Sequence, residues 1–265
     1  MTEGTPNHPL FKKRAHMGVG WEIVFRREFE ALELHRAHAA TSFSNRFDEI
    51  VDTWEAPPTN FSEQETKAWE AFLHAELQVT NTVLPRLQWN AQFLVAYATF
   101  ENIMNKLCRI VERRTQQSLS VRDLSGMGID PAKMYLQKVA EISEPFQMTE
   151  WKNVIALREL RNKIIHANGE VDGTRPSEQL LKRLQEWKIF GVDLLMTDEV
   201  LIKQILLTDQ FVLFAISTFR AVVDKICEVE VFAADPLPTG RVARMSEIEA
   251  VLDAMTGGPE DSDGR

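Results

Sequence analysis

The sequence predicts an all-α fold, and three observations support that prediction. Apolar residues recur three and four positions apart over long stretches, as on one face of a helix. Helix-start signals precede these stretches: Ser62 with Glu65, for example, forms a capping-box pattern. No alternation of strands and helices and no internal repeat is present. We therefore expect a helical bundle.

The first helix is predicted over Trp21–Trp54, with a break near Ala40–Ser44. The second begins after Ser62 and runs to about Leu84, where Pro85 should end or kink it, since proline lacks the amide that a helix interior needs. These two helices form the N-terminal part of the predicted bundle.

A third helix is predicted over Gln88–Arg114, with a single apolar stripe. A loop containing Gly126 and Gly128 follows, and a short helix then starts at Pro131, a residue well suited to the first helical position. This pair and Gly18/Gly20 both lack the strand–helix context of a phosphate-binding loop.

A fourth helix opens at Thr149 and stops at Ala167–Gly169, because a glycine commonly follows the last helical turn. Beyond it, a short helix is predicted over Ser177–Trp187 and a long one over Glu199–Glu228. The segment Lys188–Met196 between them could form a small β-hairpin.

Composition divides the chain into an N-terminal helical extension (1–60), a helical domain (61–232) and an acidic tail (233–265). The tail holds seven acids and three arginines, and only Arg244–Met255 within it could form a helix. No run of about 18 apolar residues and no secretory signal is present, which predicts a cytoplasmic protein without a membrane span.

The net charge of −9 argues against a protein that coats nucleic acid over a wide surface. Any such binding needs a local basic site. Cys108 and Cys227 are too few for a disulfide framework or a four-thiolate zinc site. His35 and His38 share a helix face but lack a third ligand, so we predict a solvated face and no metal or cofactor.

The segment from Leu157 to Gly169 is the strongest candidate for chemistry. At ~100° per residue, His166 lies one turn above Asn162, while Arg161 falls at about −100° inside an apolar arc. Burying a guanidinium without a partner is costly, so we expect it to contact a carboxylate, a phosphate or a subunit interface. His166, in the last turn, could donate a proton or stabilise an anion near neutral pH. Alternatively, His166 only caps the helix and Arg161 pairs with a buried acid.

The order Arg161–Asn162–x–x–x–His166, late in a helix of an all-α domain, resembles the Arg-x4–6-His signature of the HEPN superfamily. Glu101, within the apolar stripe of the third helix, resembles the acidic residue that HEPN domains often carry there. It could be a buried partner for Arg158, Arg161 or His166, or it could reach water at the edge of the stripe. The resemblance spans roughly residues 62–228, but only the Arg161–His166 motif is specific.

The resemblance implies a homodimeric, metal-independent endoribonuclease in which the ribose 2′-hydroxyl attacks the adjacent phosphate. Arg161 would bind the phosphate, His166 would act as general base or acid, and Asn162 would orient His166 or the phosphate. Arg158 would support this site, and the RNA-binding residues would be Lys163, Arg109, Arg113 and Arg114. For any single one of these basic residues, a solvated helix face is the favoured interpretation.

The resemblance also suggests a toxin or phage-defence effector that cuts cellular RNA, with an antitoxin or regulatory protein as a possible partner. Some HEPN toxins carry a modified tyrosine two residues after the histidine. This chain has Asn168 there, which does not support that mode of control. The alternative is a non-catalytic HEPN-like module for dimerisation or partner binding.

Overall fold

The computed structural model describes residues 21–115, 119–167, 169–171, 178–196 and 203–232. The predicted all-α class is confirmed, with one small sheet added at the C-terminal end. The helices are α1 (Trp21–Glu55), α2 (Glu63–Gln78), α3 (Leu84–Thr115), α4 (Asp130–Lys138), α5 (Thr149–Ala167), α6 (Glu178–Glu186) and α7 (Asp209–Cys227). The strands are β1 (Glu170–Val171), β2 (Asp193–Met196) and β3 (Lys203–Leu206).

Helix α7 forms the centre of the bundle and packs against α1, α3 and α5. Its apolar residues are almost continuous, so it is buried on more than one side. Aromatic rings join it to α3: Phe100 stacks on Phe219 with ring centroids 4.7 Å apart, and Phe93 lies 5.9 Å from Phe211. The site described below lies on α3 and α5, two of the helices that α7 holds in place.

The predicted break in α1 near Ala40–Ser44 is wrong, because α1 is a continuous helix. Phe43 packs edge-on against Trp89 of α3 with centroids 5.7 Å apart, while the serines and threonine around it face outwards. Packing of one apolar face outweighs the weak helix propensity of those polar residues. Near the start of α1, Phe25 and Phe29 are fully buried in the common core.

The capping box at the start of α2 is confirmed: Ser62 accepts from the Glu65 amide, and the Glu65 carboxylate accepts from the Ser62 amide. The sequence predicts that Pro85 ends or kinks the second helix; in the structure α2 ends at Gln78, and Pro85 is the second residue of α3. A five-residue π-turn, Val79–Val83, instead joins α2 to α3. Pro85 has no amide hydrogen to donate, and the wider turn lets the chain continue as a helix without that hydrogen bond.

Helix α5 has the predicted bounds, and Gly169 follows it with φ of 75°, a left-handed conformation that favours glycine. The strand order is β1-β3-β2, with all pairs antiparallel. The hairpin therefore pairs β2 with β3. The predictions of a hairpin within Lys188–Met196 and of a helix from Glu199 are both wrong.

Two local features explain these differences. Trp187–Phe190 forms a 3-10 turn, and Gly191 reverses the chain with φ of 84° at a point where a Cβ atom would clash with the side chain of Thr208. Thr208 then caps α7 by accepting from the Phe211 amide, which fixes the helix start ten residues later than predicted.

The acidic tail predicted for 233–265 lies outside the described residues, as do residues 1–20. The predicted division into extension, domain and tail stays a prediction. Helix α1 nevertheless shares the core of α3 and α7, and two ion pairs of 2.7 Å, Arg36–Asp209 and Arg220–Glu33, tie it to α7. Within the described ranges, no helix combines the length and apolar character needed to cross a membrane.

Candidate functional site

A cleft of about 500 Å³ lies between α3, α5 and the loop that leads into α4. It brings together five of the residues that the sequence singled out. These are Glu101, Arg158, Arg161, Asn162 and His166. Tyr97, Met127, Gly128 and Asp130 complete its lining.

Helix α5 presents the motif to this cleft because its opposite face is fixed in the core. Leu157, Leu160 and Ile164 are buried there. Asn162 and His166, one turn apart, are therefore on the accessible side and are exposed. Sequence and packing together place the Asn162 amide and the His166 imidazole in the same cleft.

Arg161 lies at the edge of the apolar face and is half-buried, not enclosed by the arc that the sequence predicted. The arc is narrower than expected because Ile165, which lies at its edge on the helical wheel, is 46% exposed. The Arg161 Nη1 atom donates to Asn162 Oδ1 at 3.0 Å, and its Cζ lies 5.9 Å from the centre of the Tyr97 ring. The guanidinium is thus positioned by a neutral amide and an aromatic face, which leaves its charge available to an anion.

Arg158 forms an ion pair with Asp130, with 2.7 Å between Nη1 and Oδ1. Asp130 is in the first turn of α4, where a carboxylate also benefits from the helix dipole. Arg158, one of the three possible partners of Glu101 named above, is thus paired with Asp130 instead. This ion pair links the loop before α4 to α5 and forms one wall of the cleft.

Glu101 is half-buried, and burial raises the pKa of its carboxyl, although the charge of Arg161 opposes that rise. The nearby Gly128 has φ of 63°, and a Cβ atom there would approach Glu101 Oε1 to 3.0 Å. One turn earlier on α3, the Tyr97 hydroxyl is buried without a hydrogen-bond partner among the described residues. Burial, with Glu101 nearby, also raises the pKa of that phenol.

We predict that Glu101→Gln stabilises the protein near neutral pH and that the gain disappears in acid. The raised pKa means that the folded state resists ionising Glu101, so stability falls as pH rises from the unfolded pKa through the folded one. Thermal melting of wild type and variant between about pH 4 and pH 7 measures this difference. The exposed Glu30→Gln is the matched control. An equal melting-temperature difference at both pH values would contradict the prediction.

The proposed RNA-binding arginines of α3 do not join this cleft. Arg109, Arg113 and Arg114 lie further along the helix, with Arg109 about 12 Å beyond Glu101 at 1.5 Å per residue. They line a separate basic groove, described below. Lys163 is on α5 and half-buried, but it is not part of the cleft lining.

Sequence reasoning missed Tyr97 and Asp130 as site residues. Tyr97 belongs to the apolar stripe of α3. It precedes Glu101 by one helical turn, so the two residues share one face of that helix. Asp130 stands directly before Pro131, at the first position of α4. An acid before a helix-starting proline was the available signal, but its proximity to Arg158 depends on tertiary packing.

Within the described ranges, no three His, Cys, Asp or Glu side chains converge in a way suited to holding a metal ion. Comparison of the chain with protein-family models, curated proteins and solved structures found no match. The assignment of function therefore depends on the residues of the cleft.

Proposed function

We propose that this protein is a metal-independent endoribonuclease of HEPN type that cleaves cellular RNA. The observation that carries the proposal is that Arg161, Asn162 and His166 line one cleft together with Glu101 and Tyr97. A guanidinium, an amide and an imidazole on one accessible face supply the groups that this reaction requires, in which the ribose 2′-oxygen bonds to phosphorus and the 5′-oxygen leaves.

Arg161 would bind the scissile phosphate through two parallel N–H donors and offset its charge in the transition state. His166 would take the proton of the ribose 2′-hydroxyl or give one to the leaving 5′-oxygen. Asn162 already accepts from Arg161 and so holds the guanidinium in the cleft. The carboxyl group of Glu101, which interacts electrostatically with Arg161, would partly offset the charge of the guanidinium.

We predict that the active form is a homodimer in which two such clefts face each other. Ile165, between Asn162 and His166, is 46% exposed, and Met127 at the cleft rim is 86% exposed. Exposed apolar side chains bordered by polar groups are typical of a protein interface. Light scattering should give a mass near twice 30.3 kDa. Ile165→Asp should yield the monomer, whereas Ile189→Asp, at an 82% exposed site, should not. A wild-type monomer at micromolar concentration would contradict the proposal that two clefts face each other in a dimer.

The deciding experiment is incubation of the purified protein with total RNA in excess EDTA. Because the mechanism uses the substrate's own 2′-hydroxyl, cleavage should persist and leave a 2′,3′-cyclic phosphate or a 3′-phosphate. DNA lacks that hydroxyl and should remain intact. His166→Ala is the matched control. Fragments that end in a 3′-hydroxyl would show a different mechanism.

A second candidate is a non-catalytic HEPN-like module. One observation favours it: no described residue makes a hydrogen bond to the imidazole of His166, so none of the described residues fixes the orientation of its ring. In this case wild type and His166→Ala would both leave RNA intact.

In the enzyme proposal the protein acts in the cytoplasm as a toxin or phage-defence effector, with an antitoxin or regulator as its protein partner.

A further inference from the structure

A second concave surface lies on the far half of α3, between that helix and the start of α1. We call it the basic groove; it measures about 450 Å³. Its lining consists of four cations and three apolar residues. The cations are Lys106, Arg109, Arg113 and Arg114; the apolar residues are Val24, Phe25 and Ile110. It is distinct from the cleft of Arg161 and is not explained by it.

The charges of this groove are only partly neutralised by the described residues. Lys106 pairs with Glu28 at 2.7 Å. Arg109 and Arg113 are exposed and have no ion pair within the part of the chain that the structure describes. Val24 is 48% exposed, although it is an aliphatic side chain. The groove therefore suits a ligand that is both acidic and apolar.

The last described residues of the chain lie at one end of this groove. Glu230–Phe232 packs against α3, and Arg114 Nη1 donates to the carbonyl oxygen of Val231 at 2.8 Å. The chain thus passes residue 232 beside one of the groove's own cations. Twelve further residues, enough to span up to about 40 Å, lead to Arg244. The groove from Lys106 to Arg114 is only about 12 Å long.

The segment Arg244–Met255 has the complementary pattern. On a helix at ~100° per residue, its five large apolar residues occupy one face about 120° wide. Three acids flank that face, Glu247 on one side and Glu249 with Asp253 on the other. The apolar residues are Met245, Ile248, Val251, Leu252 and Met255.

We propose that the acidic segment Arg244–Met255 docks in the basic groove of the same chain, with its apolar face on Ile110 and Val24 and its acids against Arg109 and Arg113. Residues 1–20 also adjoin the groove in sequence, because α1 starts at Trp21. They carry Lys12, Lys13 and Arg14 against Glu3 alone, so charge favours the C-terminal segment.

This contact goes beyond the proposed nuclease activity and does not depend on it. It has a consequence for that activity, because the same arginines are the candidates for RNA contact outside the cleft. A docked tail would occupy them, and RNA would have to displace it.

Hydrogen–deuterium exchange on the full-length chain tests the proposal. In wild type, the amides of residues 244–255 should exchange at least about tenfold more slowly than in an unstructured peptide. Arg109→Glu/Arg113→Glu should abolish this protection, because the charges then repel the acids of the tail. Lys138→Glu/Lys152→Glu changes the charge equally at exposed sites elsewhere and should preserve it.

The reciprocal variant Glu249→Arg/Asp253→Arg, placed in the Arg109→Glu/Arg113→Glu protein, should restore protection. Restoration separates a direct contact from a general loss of folding. Fast exchange of residues 244–255 in wild type would overturn the proposal. So would protection that survives the groove variant, or protection that is lost on dilution, since the latter would place the segment in the groove of a second copy.

Discussion

Arg161→Lys should lower the single-turnover rate of RNA cleavage about a hundredfold or more and should leave the melting temperature nearly unchanged. Lysine keeps the positive charge but loses the planar pair of donors that fits a phosphate. Arg161 is half-buried and hydrogen-bonds only the neighbouring Asn162 among the described residues, so the core does not depend on it. If Arg161 were only structural, stability and activity would fall together.

His166→Ala should match this loss, and the double variant should be scarcely worse, because groups that act on one transition state are not additive. The measurements are single-turnover cleavage and thermal melting on wild type, both single variants and the double. Arg27→Lys, exposed on α1, is the matched control. A well-folded His166→Ala protein with near-normal cleavage would remove the catalytic assignment and leave the non-catalytic module as the better proposal.

Phe219→Ala should reduce the free energy of unfolding by about 3–5 kcal/mol, the largest stability loss that we expect for a single truncation in α7. Phe219 is fully buried, stacks on Phe100 and contacts the edge of Tyr97 with centroids 5.7 Å apart. Removing its ring leaves a cavity between α3 and α7 that the two helices cannot close. Urea unfolding measures the loss.

Phe72→Ala is the control for that truncation, because Phe72 on α2 is 60% exposed and should change stability by less than about 0.5 kcal/mol. The same cavity would also loosen Tyr97, whose ring lies beneath the Arg161 guanidinium. We therefore expect Phe219→Ala to slow RNA cleavage even at a temperature at which the variant stays folded. Equal unfolding energies for the two phenylalanine variants would contradict the packing argument.

Most helices could be predicted because their signals are local. The capping box at Ser62 and the glycine after α5 each determine one helix end without reference to the rest of the chain. The spacing of Arg161 and His166 was likewise sufficient to place both in one cleft, since their shared helix fixes their relative direction.

What could not be predicted depends on contacts between distant segments. Asp130 becomes a site residue only because the fold brings its carboxylate to Arg158, 28 positions away in the sequence. The central strand β3 lies within a stretch predicted to be helical, because Ile205 stands in a short apolar run that is compatible with a helix or a strand. Its strand conformation is selected by pairing with β1 and β2, which a window of neighbouring residues does not contain.

The π-turn at Val79–Val83 sets the rotation of α2 about the helix axis relative to α3. An α-helix turns about 100° per residue, so one additional residue accommodated in a wider turn rotates everything before it by about that angle relative to α3. That rotation brings His74 edge-on to Trp54 of α1, with centroids 4.6 Å apart, and turns Leu73 into a buried position. Removal of a single residue from this turn would leave an ordinary helix of nearly the same length, but α2 would present a different face to α1.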